Sequence, residues 1–182
     1  GIGFACAKGF VKEGANIIIV GRNQERLDEA VAKLKEIGHE TQVILAVSGD
    51  LTEATTIEAV VDTAKANFSS IDVLVNNAGS APAGSFLNLE DNDFLQSWNL
   101  KLLGYIRMVR AVAPHMMEQK SGSIINIIGG AGRTPTPMFL PGSTANAALI
   151  NFTRGISKEL AQHNVRINAI SPGVTSTERA FR

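Results

Sequence analysis

Five short runs rich in β-branched residues alternate with longer stretches of helical period along the 182 residues of the chain. The runs cover 16–20, 42–47, 71–76, 123–128 and 165–170. Such alternation is the pattern of a parallel sheet covered by helices on both faces. It predicts an α/β protein with a Rossmann-like, doubly wound sheet, folded as a single domain over 1–182. Between the runs, Leu27, Ala30, Val31, Leu34 and Ile37 share one helical face, as do Ile57, Val60, Val61, Ala64 and Phe68. A third amphipathic segment runs from Leu95 to about Met117 with Trp98, Leu102, Ile106 and Val109 on its apolar side, and a fourth from about Thr144 to Gln162. The Gly/Pro-rich stretch 129–142 falls at the end of a strand, where open α/β sheets put their ligands.

Composition narrows the partners. Seventeen basic residues balance seventeen acidic ones, so no global field draws the chain to nucleic acid or to an anionic membrane. No run of apolar residues is long enough to span a bilayer. Cys6 is the only cysteine and reads as a small buried residue among Ala5, Ala7 and Gly9, suited to a reducing, cytoplasmic compartment. His39, His115 and His163 are scattered without carboxylate clusters, so no metal site is expected. The chain opens on Gly1 without an initiator methionine, and the expectation is a domain lacking its first strand and its C-terminal substrate-binding segment.

Three motifs carry chemistry. Gly1-Ile2-Gly3 reads as the end of a glycine-rich turn entering a helix, where backbone N–H groups and the helix dipole meet a pyrophosphate. Gly21 and Arg22 follow the first strand at the place where a dinucleotide-binding sheet meets the adenosine ribose. A guanidinium there can pair with a 2′-phosphate, which favours NADP(H) over NAD(H); a solvated arginine at a helix entry fits the same residues. Asn76-Asn77-Ala78-Gly79 places two side-chain amides and two small residues after an apolar strand.

Taken in order, these motifs with Gly49-Asp50-Leu51, Trp98-Asn99-Leu100, residues 123–127 and Ser171-Pro172-Gly173 resemble the short-chain dehydrogenase/reductase superfamily over essentially the whole chain. The resemblance implies a nicotinamide dinucleotide cofactor. It implies that Asp50 and Leu51 lie against the adenine, Asn76, Asn77, Ala78 and Gly79 along the adenosine and ribose, and Pro172, Gly173, Val174 and Thr177 around the nicotinamide and pyrophosphate. It also implies helices that pair across a two-fold axis, hence a homodimer or homotetramer.

The family's catalytic residues are missing. Two independent anchors, Asn126-Ile127 and Ala147-Ala148-Leu149, place Gly129 at the serine position, Gly142 at the tyrosine position and Asn146 at the lysine position, where Asn146 also belongs to the cofactor-binding set. The only tyrosine is Tyr105, with Val109 rather than lysine four residues on. Asn99 is the one retained member of the catalytic set, with a structural role in the family. Ser143 and Thr144, the nearest hydroxyls, read as helix-capping residues. Two functions stay open: a divergent oxidoreductase moving hydride to or from a carbonyl or alcohol with a non-standard proton donor, or a catalytically silent dinucleotide-binding protein.

Overall fold

The computed structural model describes residues 1–173 and 175, and its strands fall into two compact units, Gly1–Ser70 and Ile71–Thr175. The architecture is a Rossmann-like α/β fold of parallel strands flanked by helices.

In the first unit the order is α1 (Ile2–Lys12), β1 (Ile17–Gly21), α2 (Gln24–Lys35), β2 (Ile44–Ser48) and α3 (Ala54–Asn67). Strands β1 and β2 pair in parallel with Ile17 opposite Ile44 and Gly21 opposite Ser48. Their core is small. Val11, Leu34, Ala7 and Ile44 are buried together, and Phe4, Ile17, Ile19 and Val31 pack around them. The side chain of Asn23 caps α2 by accepting from the Arg26 N–H at 2.8 Å, so the helix starts one turn ahead of its first apolar residue, Leu27. Along α3, Ile57, Val60, Val61 and Ala64 are buried at the spacing the sequence predicts. Cys6 departs from expectation: it is half-buried, because the covered face of α1 runs through Ala7 and Val11.

In the second unit the order is β3 (Val73–Asn76), α4 (Asp91–Ser97), a π-helical stretch Trp98–Leu103, α5 (Gly104–Gln119), β4 (Gly122–Ile127), α6 (Leu140–Ala161) and β5 (Val165–Ile170). Short 3-10 turns cover Phe86–Asn88, Gly130–Gly132 and Pro137–Phe139. The sheet is parallel with β4 between β3 and β5. At its centre Asn126 is fully buried, accepting from Asn76 Nδ2 at 2.9 Å and donating to Thr153 Oγ1 at 3.0 Å. The Thr153 hydroxyl in turn donates to the Leu149 carbonyl at 2.7 Å, so every member of this buried row is satisfied and β3, β4 and α6 are tied side chain to side chain.

Two element readings are corrected here. The segment expected as one helix from Leu95 to Met117 is three pieces, with the π-helical stretch inserted where Asn99 sits. The helix expected from Thr144 starts at Leu140, because Pro141 in the first turn gives up no intrahelical hydrogen bond.

Candidate functional site

In the first unit the expected nucleotide residues stand at the C-terminal ends of the strands and at a helix start. Gly1 is the N-cap of α1, and Ile2 and Gly3 lie in its first turn. Arg22 follows β1, largely exposed, with Nη1 at 3.8 Å from Asp50 Oδ2. Asp50 follows β2, and its Oδ1 accepts from the Thr52 N–H at 2.9 Å. That backbone hydrogen bond holds the carboxyl below the usual aspartate range against a desolvation that raises it, with the Thr52 hydroxyl and the Arg22 charge adding to the lowering. Leu51 is half-buried beside it.

In the second unit Asn76 ends β3 and is held by Asn126, while Asn77, Ala78 and Gly79 continue half-buried. Pro172 and Gly173 follow β5, and the Thr175 hydroxyl donates to the Gly173 carbonyl at 3.0 Å. Val174 and Thr177, also assigned to the cofactor by resemblance, lie outside the described residues.

The three substituted positions are brought together beyond β4. Gly129 precedes the Gly130–Gly132 turn, and Gly142 and Asn146 lie in the first two turns of α6. A side chain at 142 would overlap the ring of Phe139, which fills the volume a residue there would use. At 129 an added Cβ would stand 2.9 Å from Asn146 Nδ2. Asn146 is buried, and its Oδ1 accepts from the Gly129 N–H at 3.3 Å. Asn146, expected at the family's lysine position, is turned inward and braces the loop at Gly129.

No hydroxyl nearby is placed as a replacement acid. Ser143 and Thr144 do not cap α6. They lie inside it and donate backward, Ser143 to the Phe139 carbonyl at 2.8 Å and Thr144 to the Leu140 carbonyl at 2.9 Å, because the helix begins before them. Thr144 Oγ1 also accepts from Trp98 Nε1 at 2.9 Å. Tyr105 is buried and donates to the Ile127 carbonyl at 3.0 Å, and burial pushes its phenol above the ordinary tyrosine value. From Gly122 to Ile150 the one ionisable side chain is Arg133, which is exposed.

Asn99 is retained, but both its oxygens are engaged by one guanidinium. Arg107 donates to the Asn99 carbonyl at 3.2 Å and to its Oδ1 at 2.9 Å. Phe139 and Arg107 are the residues that sequence reasoning missed. The only signals were spacing, Phe139 one helical turn before Gly142 and Arg107 two turns after Asn99. Among the described residues no three His, Cys, Asp or Glu side chains converge to hold a metal ion, and no helix is long and apolar enough to cross a membrane.

Comparison with known proteins bears on the family and the fold. The family described as short chain dehydrogenase matches residues 1–181. An uncharacterized oxidoreductase of Bacillus subtilis, YvrD, is 35% identical over 179 residues, covering 98% of this chain and 66% of the relative. The structure of L-sorbose reductase from Gluconobacter frateurii, complexed with NADPH and L-sorbose, superposes with a TM-score of 0.93 at 32% identity, over 98% of this chain and 67% of that one. NAD+-bound xylitol dehydrogenase superposes with a TM-score of 0.89 at 30% identity, over 94% and 65%. The chain thus spans about two thirds of the length of the relatives it matches.

Proposed function

The chain belongs to the short chain dehydrogenase family, and from that premise we propose that it is a divergent NADP(H)-binding oxidoreductase whose site supplies no proton from position 142. The donor set of the first unit fits a dinucleotide: glycine backbone at a helix N-terminus for phosphate, Arg22 for a 2′-phosphate, and Asp50 with Leu51 for adenine. In the second unit Asn76, Asn77, Ala78 and Gly79, with Pro172, Gly173, Val174 and Thr177, are the counterparts the family uses toward the ribose and nicotinamide. Asn146 does not fit the family's lysine role, since its carboxamide carries no charge and is spent on the Gly129 N–H.

When bound, the dinucleotide supplies or accepts a hydride. The chain's own residues bind and orient it, exclude bulk from position 142 through the Phe139 ring, and leave the proton to water, to the substrate or to a residue beyond Arg182. The observation that carries this reading is the filled volume at 142. A second reading, a silent dinucleotide-binding protein acting through conformation or assembly, is favoured by the same ring, which closes the place where acid catalysis occurs in the family.

Titration calorimetry followed by a turnover screen of carbonyls and alcohols tests both. NADP(H) is expected to bind about tenfold or more tightly than NAD(H), from a charge-assisted contact worth roughly 1.5–3 kcal/mol. Arg22→Ala is expected to abolish the preference. Equal affinities in the unaltered protein would remove the Arg22 argument, and NADP(H) binding with no turnover of any substrate would select the silent reading.

A further inference from the structure

We propose that Thr153 is a positioning residue: acting through Asn126, it fixes which end of the Asn76 carboxamide is offered at the C-terminal end of β3. The inference deepens the dinucleotide-binding part of the reading above and rests on it for its ligand. A carboxamide has a donor end and an acceptor end of nearly equal size, so hydrogen-bonding neighbours alone decide which way it faces. Thr153 is buried in α6, and its hydroxyl donates to the Leu149 carbonyl one turn back at 2.7 Å, a bond open to a threonine inside a helix. That spends its single proton. Toward β4 the hydroxyl oxygen can only accept, and the fully buried Asn126 turns Nδ2 to it at 3.0 Å.

The choice is then passed across the sheet. With Nδ2 turned to α6, Asn126 shows Oδ1 to β3, where Asn76 stands directly opposite in the parallel register. Asn76 answers with Nδ2 at 2.9 Å, so its own Oδ1 is turned away from Asn126. Among the described residues β3 pairs with β4 alone. The acceptor therefore faces the sheet edge, at the strand end that leads into Asn77, Ala78 and Gly79.

The reverse setting is disfavoured. Asn126 Oδ1 toward Thr153 would ask one hydroxyl proton to serve two acceptors and leave a buried oxygen unpaired. Among the described residues no buried side-chain nitrogen or oxygen lacks a partner, and the observed direction keeps that condition. An acceptor at the end of β3 takes an uncharged donor and disfavours a phosphate oxygen. For a dinucleotide, that donor is a ribose hydroxyl.

Two variants separate this role from simple packing. Thr153→Val keeps the branched shape and removes the hydroxyl, whereas Thr153→Ser keeps the hydroxyl and removes a methyl. In the protein without ligand, heteronuclear NMR of the side-chain amides is expected to show slow hydrogen exchange at Asn76 Nδ2, unchanged in Thr153→Ser and at least about tenfold faster in Thr153→Val. Calorimetry with ADP and 2′,3′-dideoxy-ADP as probes reads the acceptor itself. The unaltered protein and Thr153→Ser should favour ADP by about threefold or more, the worth of one neutral hydrogen bond, and Thr153→Val should bind the two probes alike. Thr153→Ala, a better helix former that also lacks the hydroxyl, takes the place of Thr153→Val if that variant does not fold. Exchange at Asn76 unmoved by loss of the hydroxyl would overturn the proposal, as would a preference for ADP that survives that loss or disappears in Thr153→Ser. Equal binding of the two probes by the unaltered protein would overturn it too. Failure of the unaltered protein to bind NADP(H) or either probe would instead overturn the functional reading, and the exchange rates would still judge the row from Thr153 to Asn76.

Discussion

A tyrosine placed at 142 would have to share its volume with the Phe139 ring, and a serine at 129 would press on Asn146 Nδ2. Side chains at 129 and 142 are therefore coupled to Asn146 and Phe139. Gly142→Tyr alone is expected to destabilise the protein by about 1–3 kcal/mol through overpacking. Combining it with Phe139→Ala should recover part of that loss, giving a coupling above about 0.5 kcal/mol in a double-mutant cycle read by urea unfolding. Additive effects would show that the ring can move aside freely. Asp50 gives a second residue-scale expectation. Its carboxyl is held below the usual range in the folded protein, so its contribution is present above the unfolded pKa of about 3.9 and fades as pH falls through the folded value. Asp50→Asn should be less stable than the unaltered protein at pH 7, with the difference closing toward pH 3; a constant difference would place the effect elsewhere. At this scale the sequence singles out Gly129, Gly142 and Asn146, because flanking motifs anchor them by count. It does not show what surrounds them. That Phe139 fills the volume at 142 depends on how the 137–139 turn folds back, and that Asn146 turns toward Gly129 depends on two segments meeting.

Among the elements, the one that departs most from its sequence pattern is the π-helical stretch Trp98–Leu103. Trp98, Leu102, Ile106 and Val109 keep helical spacing, so periodicity alone predicts an unbroken helix. Arg107 draws the Asn99 carbonyl and carboxamide to itself, and an extra residue is taken up in the turn. Arg107→Leu keeps the aliphatic bulk and removes both donors. It is expected to cost about 1–2 kcal/mol, the lower part of the range for charged hydrogen bonds because the site is half-buried. Arg107→Lys should recover only part of this, lacking the two-pronged geometry. Thermal unfolding of the two variants checks the ordering, and equal stability of all three proteins would mean that the π-helical turn stands without the guanidinium. By contrast, β1 to β5 lay within a residue or two of the apolar runs, since buried parallel strands read as near-continuous β-branched segments. Helix α6 was foreseen but placed late, because Pro141-Gly142 reads as a turn when seen without the helix that contains it.

For the whole molecule, the question is what covers the outer side of the second unit's helices. Leu95 is 58% exposed and Leu103 41% exposed, and with Trp98 and Leu102 they line a shallow, mainly apolar groove. Formal net charge is zero at neutral pH, so no long-range repulsion keeps copies apart. A two-fold contact presents the same patch from both partners, so a leucine beside a groove can enter the partner's groove while receiving the partner's leucine. We therefore expect a homodimer or homotetramer that uses this face, with Leu95 and Leu103 among the buried anchors. Light scattering should give at least twice the mass of one chain. Leu95→Glu with Leu103→Glu should yield a monomer that keeps its far-UV circular dichroism, because both residues already face solvent within one chain and their replacement disturbs no core packing there. A monomeric unaltered protein, or an oligomer that survives the double substitution, would move the interface off this face. The charge change is the informative one: two buried carboxylates per protomer, facing their symmetry mates without a counter-ion, disfavour association far more than they disfavour folding.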